Sequence, residues 1–304
     1  MNTSPALYAE LVRAPAALTV PGDVVAGALA AGRPGALRTT ALAASSVTLY
    51  WAGMALNDWA DRTQDATERP HRPIPSGRLT PRAALATATA LTGAGLGLAA
   101  LAGGRHTLLH RTLPLATAVW AYDLGLKHTA LGPAAMAAAR ALDVLHATGP
   151  GRLPAALPAA ATVAAHTYAV TRLSRHEVDG APAGEPELSL ATTTAITGAG
   201  TARLLTAPPA APATTGHPAP HHPARTLVTA TALAAYAGTC TRAQSAAARN
   251  PSPPRVRAAV GAGIHALLPL QAALIARAGA PLLALPFVAA LPLAGRLARK
   301  VSPT

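Results

Sequence analysis

The sequence predicts an all-α fold, a polytopic membrane helical bundle with ten candidate transmembrane helices. Three observations carry that expectation. Hydrophobic residues make up 51% of the 304 positions, charged residues only 12%, and the mean hydropathy is +0.30. Apolar runs of about 20 residues, the length that crosses a bilayer as a helix, recur from end to end. Basic residues lie in the short connections between those runs and not in one block. The whole chain, 1–304, reads as a single integral-membrane domain.

Taken in order, the candidate spans are 14–32, 38–57, 83–103, 107–126, 130–148, 154–173, 187–207, 226–246, 257–276 and 280–297. Many are rich in Ala and Gly, which lets helix backbones approach closely in lipid. Ten spans place both termini on one side. Sixteen Lys and Arg then fall on the side of the 57–77 loop and eight on the other, with Arg140 inside a span. The positive-inside tendency makes that loop cytoplasmic, in a bacterial-type inner (plasma) membrane. The formal charge of +13 invites nucleic acid, but there is no basic run with interleaved aromatics, so no nucleic-acid partner is expected. No protein partner is evident either. Cys240 is the only cysteine, which excludes an internal disulfide and argues against a Cys-based zinc site. The N-terminal stretch carries Glu10 and lacks a basic region before a short apolar core, so no cleaved signal peptide is expected. His217, His221 and His222 lie in a Pro-rich stretch that reads as an outer loop.

The stretch Asn57 to Gly77 (NDWADRTQDATERPHRPIPSG) holds four of the twelve acidic residues. Asn57, Asp61 and Asp65 are spaced i, i+4, i+8 and share one face if helical. Stacked carboxylates repel unless a cation joins them. A hard ion such as Mg2+ takes oxygen ligands and commonly shares them with a substrate phosphate. Arg69 and Arg72 follow, and a guanidinium suits a phosphate. The plainer alternative is a solvated polar loop between two helices.

These residues resemble a known signature. Asn57, Asp58, Asp61, Asp65, Arg69, Pro70, Arg72, Pro73, Ile74, Pro75, Ser76 and Gly77 match the first aspartate-rich motif of the UbiA superfamily of intramembrane prenyltransferases. The resemblance implies a bundle of nine to ten transmembrane helices around a central cavity, which binds a prenyl diphosphate through Mg2+ and moves the prenyl group to an acceptor or cyclises it. It also implies a second acidic motif, for which the corresponding stretch is Arg175 to Gly180. Glu177 and Asp179 fit its later positions, while Arg175 stands where a carboxylate is expected and would pair with phosphate directly. Glu185 and Glu187 are nearby substitutes. Tyr122 and Lys127, in YDLGLK, are similar to the family's Tyr…Lys element, whose Lys contacts the diphosphate. The alternative for Lys127 is a snorkelling interfacial side chain.

The resemblance thus assigns Asp61, Asp65 and Lys127 to catalysis, and Arg69, Arg72, Tyr122 and Arg175 to substrate. It assigns Asn57, Asp58, Asp61, Asp65, Glu177 and Asp179 to metal. Arg140, a charge within a span, is a substrate-binding candidate as part of the cavity lining. Other polar residues within spans read as follows. Asp123 could simply pair with Lys127 at i+4. Arg140 and Asp143 line a cavity or pair with each other. His146 is a candidate base, and Asp23 an acid facing the cavity. His166, Tyr168, His265 and Gln271 are weaker buried-polar candidates.

The favoured activity is Mg2+-dependent prenyl transfer to a small acceptor, expected to be aromatic, within the membrane. The runner-up is a membrane terpene cyclase that ionises a prenyl diphosphate with no acceptor. The scarcity of aromatics (3%) tilts toward transfer, because cyclases steady carbocations on aromatic faces. A third reading is a transporter or a non-catalytic membrane binding protein.

Overall fold

The computed structural model describes residues 4–32, 35–206 and 223–298. Among them every regular element is helical. Twelve α-helices follow in order: α1 Pro5–Leu11, α2 Pro21–Ala30, α3 Ala36–Ala60, α4 Arg62–Glu68, α5 Pro81–Thr107, α6 Leu113–Leu124, α7 Gly132–Leu145, α8 Leu153–Ser174, α9 Glu185–Leu205, α10 Pro223–Arg249, α11 Pro253–Arg277 and α12 Pro281–Ala298. The loop with His217, His221 and His222 lies outside the described residues.

Proline sets many of the starts. Pro5, Pro21, Pro81, Pro133, Pro186 and Pro253 each occupy the first or second position of a helix. The missing N–H costs nothing there and the fixed φ is already helical. Thr80 adds a cap to α5, its Oγ1 accepting from the Ala83 N–H at 3.2 Å. Thr48, Thr89, Thr192 and Thr194 donate to the carbonyl four residues back, which satisfies exposed hydroxyls on an apolar helix surface.

Each of the ten apolar stretches carries helix, the first as a 3-10 turn over Ala14–Thr19 followed by α2. Among the described residues two helical stretches are both long and apolar enough to cross a membrane, Pro81–Leu124 (44 residues) and Pro253–Arg277 (25 residues). The first is not one rod. Gly104 is non-helical (φ 69°, ψ −174°), a conformation open to glycine, and a π-helical turn follows at Leu108–Thr112. Trp120 Nε1 then donates to Thr92 Oγ1 at 3.0 Å. In a straight helix those residues would stand about 42 Å apart, so the chain folds back at Gly104.

The described residues form two compact units, divided between Tyr168 and Ala169 within α8; the end of α12 belongs with the first. In the first unit α3 packs on α2, α5 and α6, while α7 packs on α2 and α6. Leu7, Leu11, Ala55, Leu56, Ile74, Leu79, Ala84 and Ala88 form one buried cluster, which fastens α1 and the 69–79 loop onto α3 and α5. In the second unit α10 packs against both α9 and α11. Gln244 Nε2 donates to Ser189 Oγ at 2.9 Å across the α9–α10 contact.

Small residues decide how closely the helices approach. A Cβ on Gly27 of α2 would lie 1.7 Å from the Val144 carbonyl oxygen of α7. Gly93, on the exposed side of α5, has nothing within 4 Å of its Cβ position. Gly27→Ala should therefore cost about 1–3 kcal/mol by overpacking. Gly93→Ala should be neutral or stabilise by up to about 1 kcal/mol, since Ala is the better helix former. Thermal unfolding of the detergent-purified variants checks this; equal melting temperatures would contradict the close α2–α7 contact.

Candidate functional site

A cluster of charged residues of the first unit lies where α3 and α6 end. Asp61 closes α3 and opens α4, with φ −86° and ψ 3°, so the helix breaks there instead of running on. The break regroups the residues that a continuous helix would stack on one face. Asn57 and Asp61 converge on Lys127: the ammonium Nζ is 2.7 Å from Asp61 Oδ1 and donates to Asn57 Oδ1 at 3.1 Å. Asp58 and Asp65 converge on Arg72, whose Nη1 is 3.4 Å from Asp58 Oδ1 and 2.6 Å from Asp65 Oδ2. Arg69 Nη1 reaches the other Asp65 oxygen at 3.2 Å. Arg13 Nη2 reaches Asp58 Oδ1 at 3.0 Å.

Asp58 and Asp65 are 4% and 1% exposed, which carboxylates tolerate only when paired. Four basic side chains, Arg13, Arg69, Arg72 and Lys127, meet three carboxylates here. Among these ion-paired groups the bases outnumber the acids by one, and the Asp123 carboxylate lies near them. At Arg72 burial, and then the neighbouring Arg13 guanidinium, lower the pKa from the usual arginine value despite both aspartates. A further anion at this place would relieve that strain.

The 69–79 loop holds Arg72 in position. Ser76 Oγ donates to the Arg72 carbonyl at 2.6 Å. Arg78 grips both Glu10 oxygens at 2.7 Å and donates to the His71 carbonyl at 2.7 Å, which ties the loop to α1. Its Nε donates to Ser76 Oγ at 3.0 Å. That ion pair holds Glu10 below the usual carboxylate pKa range.

Beside the charged centre lies a cavity of about 250 Å3. Arg13, Asn57, Tyr122 and Asp123 line it near the charges; Leu49, Met54, Leu115, Val119, Met136 and Ala139 give it apolar walls. Ser46, Tyr50, Arg140 and Asp143 line it further along α3 and α7. Arg140 pairs with Asp23 (2.8 Å) and the Thr19 carbonyl (2.9 Å), not with Asp143. Asp143 instead accepts from Ser46 Oγ. The Arg140 Nε is buried and has no hydrogen-bond partner among the described residues. His146, the candidate base, is fully buried and engages Thr112 Oγ1 at 3.1 Å outside the cavity lining.

The second motif belongs to the second unit and is a turn between α8 and α9. Arg175 and Asp179 are exposed and Glu177 half-buried. Arg257 Nη1 donates to the Glu177 carbonyl at 2.8 Å, and the Ala181 N–H to the Pro251 carbonyl at 3.0 Å. Glu185 forms an ion pair with Arg172, and Glu187 accepts from the Gly184 N–H at 2.9 Å. Both substitutes are thus engaged within their own turn.

Arg13 is the residue that sequence reasoning misses. It is the one non-glycine residue with positive φ (46°) among the described residues. Such backbone strain persists where the surroundings hold it, often at functional sites. The signal for it was its place just ahead of the first apolar span, which counts equally as an orientation charge.

Among the described residues no three His, Cys, Asp or Glu side chains gather as a metal cage. Two oxygen pairs, Asn57 with Asp61 and Asp58 with Asp65, each meet at a cationic nitrogen. That donor set suits Mg2+, which keeps water and substrate phosphate and needs only one or two carboxylates.

Relatives bear on this arrangement. The chain is 47% identical over 86 residues to a digeranylgeranylglyceryl phosphate synthase of Methanothrix thermoacetophila, covering 28% of this chain and 31% of that protein. It is 40% identical over 83 residues to a protein of the same name from Natronomonas pharaonis, covering 27% and 30%. The matches thus span about a third of the length of these curated relatives. A solved apo structure of a UbiA homologue from Aeropyrum pernix K1 superposes with a TM-score of 0.65 at 18% identity, covering 86% of this chain and 96% of that one, a likeness of fold. The model of the UbiA prenyltransferase family matches residues 20–255, and the chain belongs to that family.

Proposed function

We propose that this chain transfers a prenyl group from a prenyl diphosphate to a small acceptor inside the membrane, with Mg2+ as cofactor. One observation carries the reading: a buried centre with more basic than acidic side chains opens onto an apolar cavity. A diphosphate with a hydrocarbon tail has the matching shape, charge at one end and grease at the other. The relatives' name, digeranylgeranylglyceryl phosphate synthase, supports prenyl chemistry and favours a glyceryl phosphate type of acceptor over an aromatic one.

Asn57 with Asp61, and Asp58 with Asp65, would hold the metal; Glu177 and Asp179 are candidate oxygen donors of the second unit. The chemistry that Mg2+ supplies when bound is neutralisation of charge on the leaving diphosphate. Lys127, Arg72, Arg69 and Arg13 would donate to the phosphate oxygens as charge builds on them. With Lys127 and Arg72 turned to the phosphate, the Asp61 and Asp65 oxygens they hold at rest would become available to the metal. Tyr122 lines the cavity beside the charged centre and would flank the first isoprene unit. Leu49, Leu115 and Val119 would exclude water from the allylic cation. The buried Nε of Arg140 would donate to an oxygen of the acceptor. Arg175, exposed in the second unit, is a candidate phosphate ligand. Among the described residues Tyr50 and Tyr122 are the only aromatics in the cavity lining, which suits transfer better than cyclisation.

The bundle would cross a bacterial-type inner membrane nine to ten times, with the 57–77 loop cytoplasmic, as the basic residues on that side suggest.

Lys127→Met should lower kcat/KM by about 10²–10³-fold, the usual loss of one donor to a developing anion. Turnover of geranylgeranyl diphosphate by the purified full chain measures it, and a wild-type rate would overturn the role of Lys127. EDTA should abolish turnover and added Mg2+ restore it; activity that survives EDTA would contradict the metal assignment.

A further inference from the structure

Asp123 is the acid that the proposed transfer leaves without a task. It is 5% exposed and lines the cavity. Its i+4 neighbour Lys127 is turned to Asp61 and Asn57. No ion pair or hydrogen bond of the Asp123 carboxylate is found among the described residues. A buried carboxylate without a hydrogen bond is costly; the nearby charges of Lys127 and Arg13 steady this one, and it is held where a ligand would meet it. Across the cavity wall stands Gly53 of α3, where a Cβ would lie 3.4 Å from Asp123 Oδ2 and 2.8 Å from Val119 Cγ1. The missing side chain leaves the carboxylate open.

Depth selects Asp123 over the other acids. Gly53 lies four residues from Asn57 on α3, about 6 Å of helix rise. Ser46, the partner of Asp143, lies eleven residues from Asn57, about 16 Å. A carbon bonded directly to a diphosphate at Lys127 belongs at the first depth. Asp23 is paired with Arg140, and Asp143 accepts from Ser46.

We propose that Asp123 is the general base for a hydroxyl-bearing acceptor, taking the proton from the oxygen that attacks the allylic carbon. The inference rests on the prenyl-transfer reading above. In the step, a lone pair of the acceptor oxygen forms the new C–O bond. The bond from the same carbon to the diphosphate oxygen breaks, and its electron pair leaves with the diphosphate. The acceptor proton passes to the Asp123 carboxylate.

The test uses the full chain in detergent with Mg2+, geranylgeranyl diphosphate as donor and geranylgeranylglyceryl phosphate as the hydroxyl probe. Binding of geranylgeranyl thiolodiphosphate, a slow donor analogue, is measured alongside. Asp123→Asn should lower prenyl transfer about 10²-fold or more, the usual contribution of a general base, with donor-analogue affinity unchanged. A purely structural role would reduce both together. Should Asp123→Asn not be recovered folded, Asp123→Glu is read by the same two measurements, with transfer lowered and donor binding kept. The base role is overturned if the variant transfers at the wild-type rate or loses donor binding along with transfer. It is overturned as well if the wild type binds the donor analogue but leaves this alcohol unmodified. A wild type that does not bind the donor analogue in Mg2+ instead sinks the parent reading, and this inference with it.

Discussion

Asp58 and Asp65 share the guanidinium of Arg72, and Asn57 and Asp61 share the ammonium of Lys127. The first unit depends on that exchange of charge. Three carboxylates at the end of an apolar bundle would repel one another and resist burial. With basic partners they are held at fixed points, and the partners are held too. The paired basic groups outnumber the acids by one, and the proposed diphosphate site rests on that balance.

The scaffold serves that centre by close packing. Gly27 brings α2 against the backbone of α7, so that Asp23 and Arg140 can meet across the contact. Gly53 lets Val119 of α6 close on α3 and leaves the Asp123 carboxylate facing the cavity. Arg13, in a strained left-handed conformation, turns its side chain to Asp58. Ile74 and Leu79 pin the loop that carries Arg72 to the buried cluster of α1, α3 and α5. An apolar bundle can place a few charges accurately because nothing else in it competes for them.

Much of this was legible in the residues. The crowding of acids and arginines at 57–77 identified the charged centre, and YDLGLK pointed to Lys127, because charges are so scarce elsewhere. The length of the apolar runs found a helix in each of them. The partners were harder to read. A continuous face of Asn57, Asp61 and Asp65 fails because the helix breaks at Asp61, and nothing local marks that break. The i+4 spacing suggests an Asp123–Lys127 pair, yet Lys127 lies in a separate 3-10 turn, Leu126–His128, and reaches the end of α3 instead. Arg140 meets Asp23 over 117 positions of sequence rather than Asp143 one turn away. Local spacing proposes local partners, whereas burial rewards whichever partner packing brings close.

The direct test of the central claim is an experimental structure of the full chain with Mg2+ and geranylgeranyl thiolodiphosphate. The account predicts the diphosphate between Arg72 and Lys127, with the Lys127 ammonium turned from Asp61 to a phosphate oxygen and the first isoprene unit beside Gly53. A diphosphate bound elsewhere, with Lys127 still on Asp61 and the cavity without a prenyl chain, would contradict it.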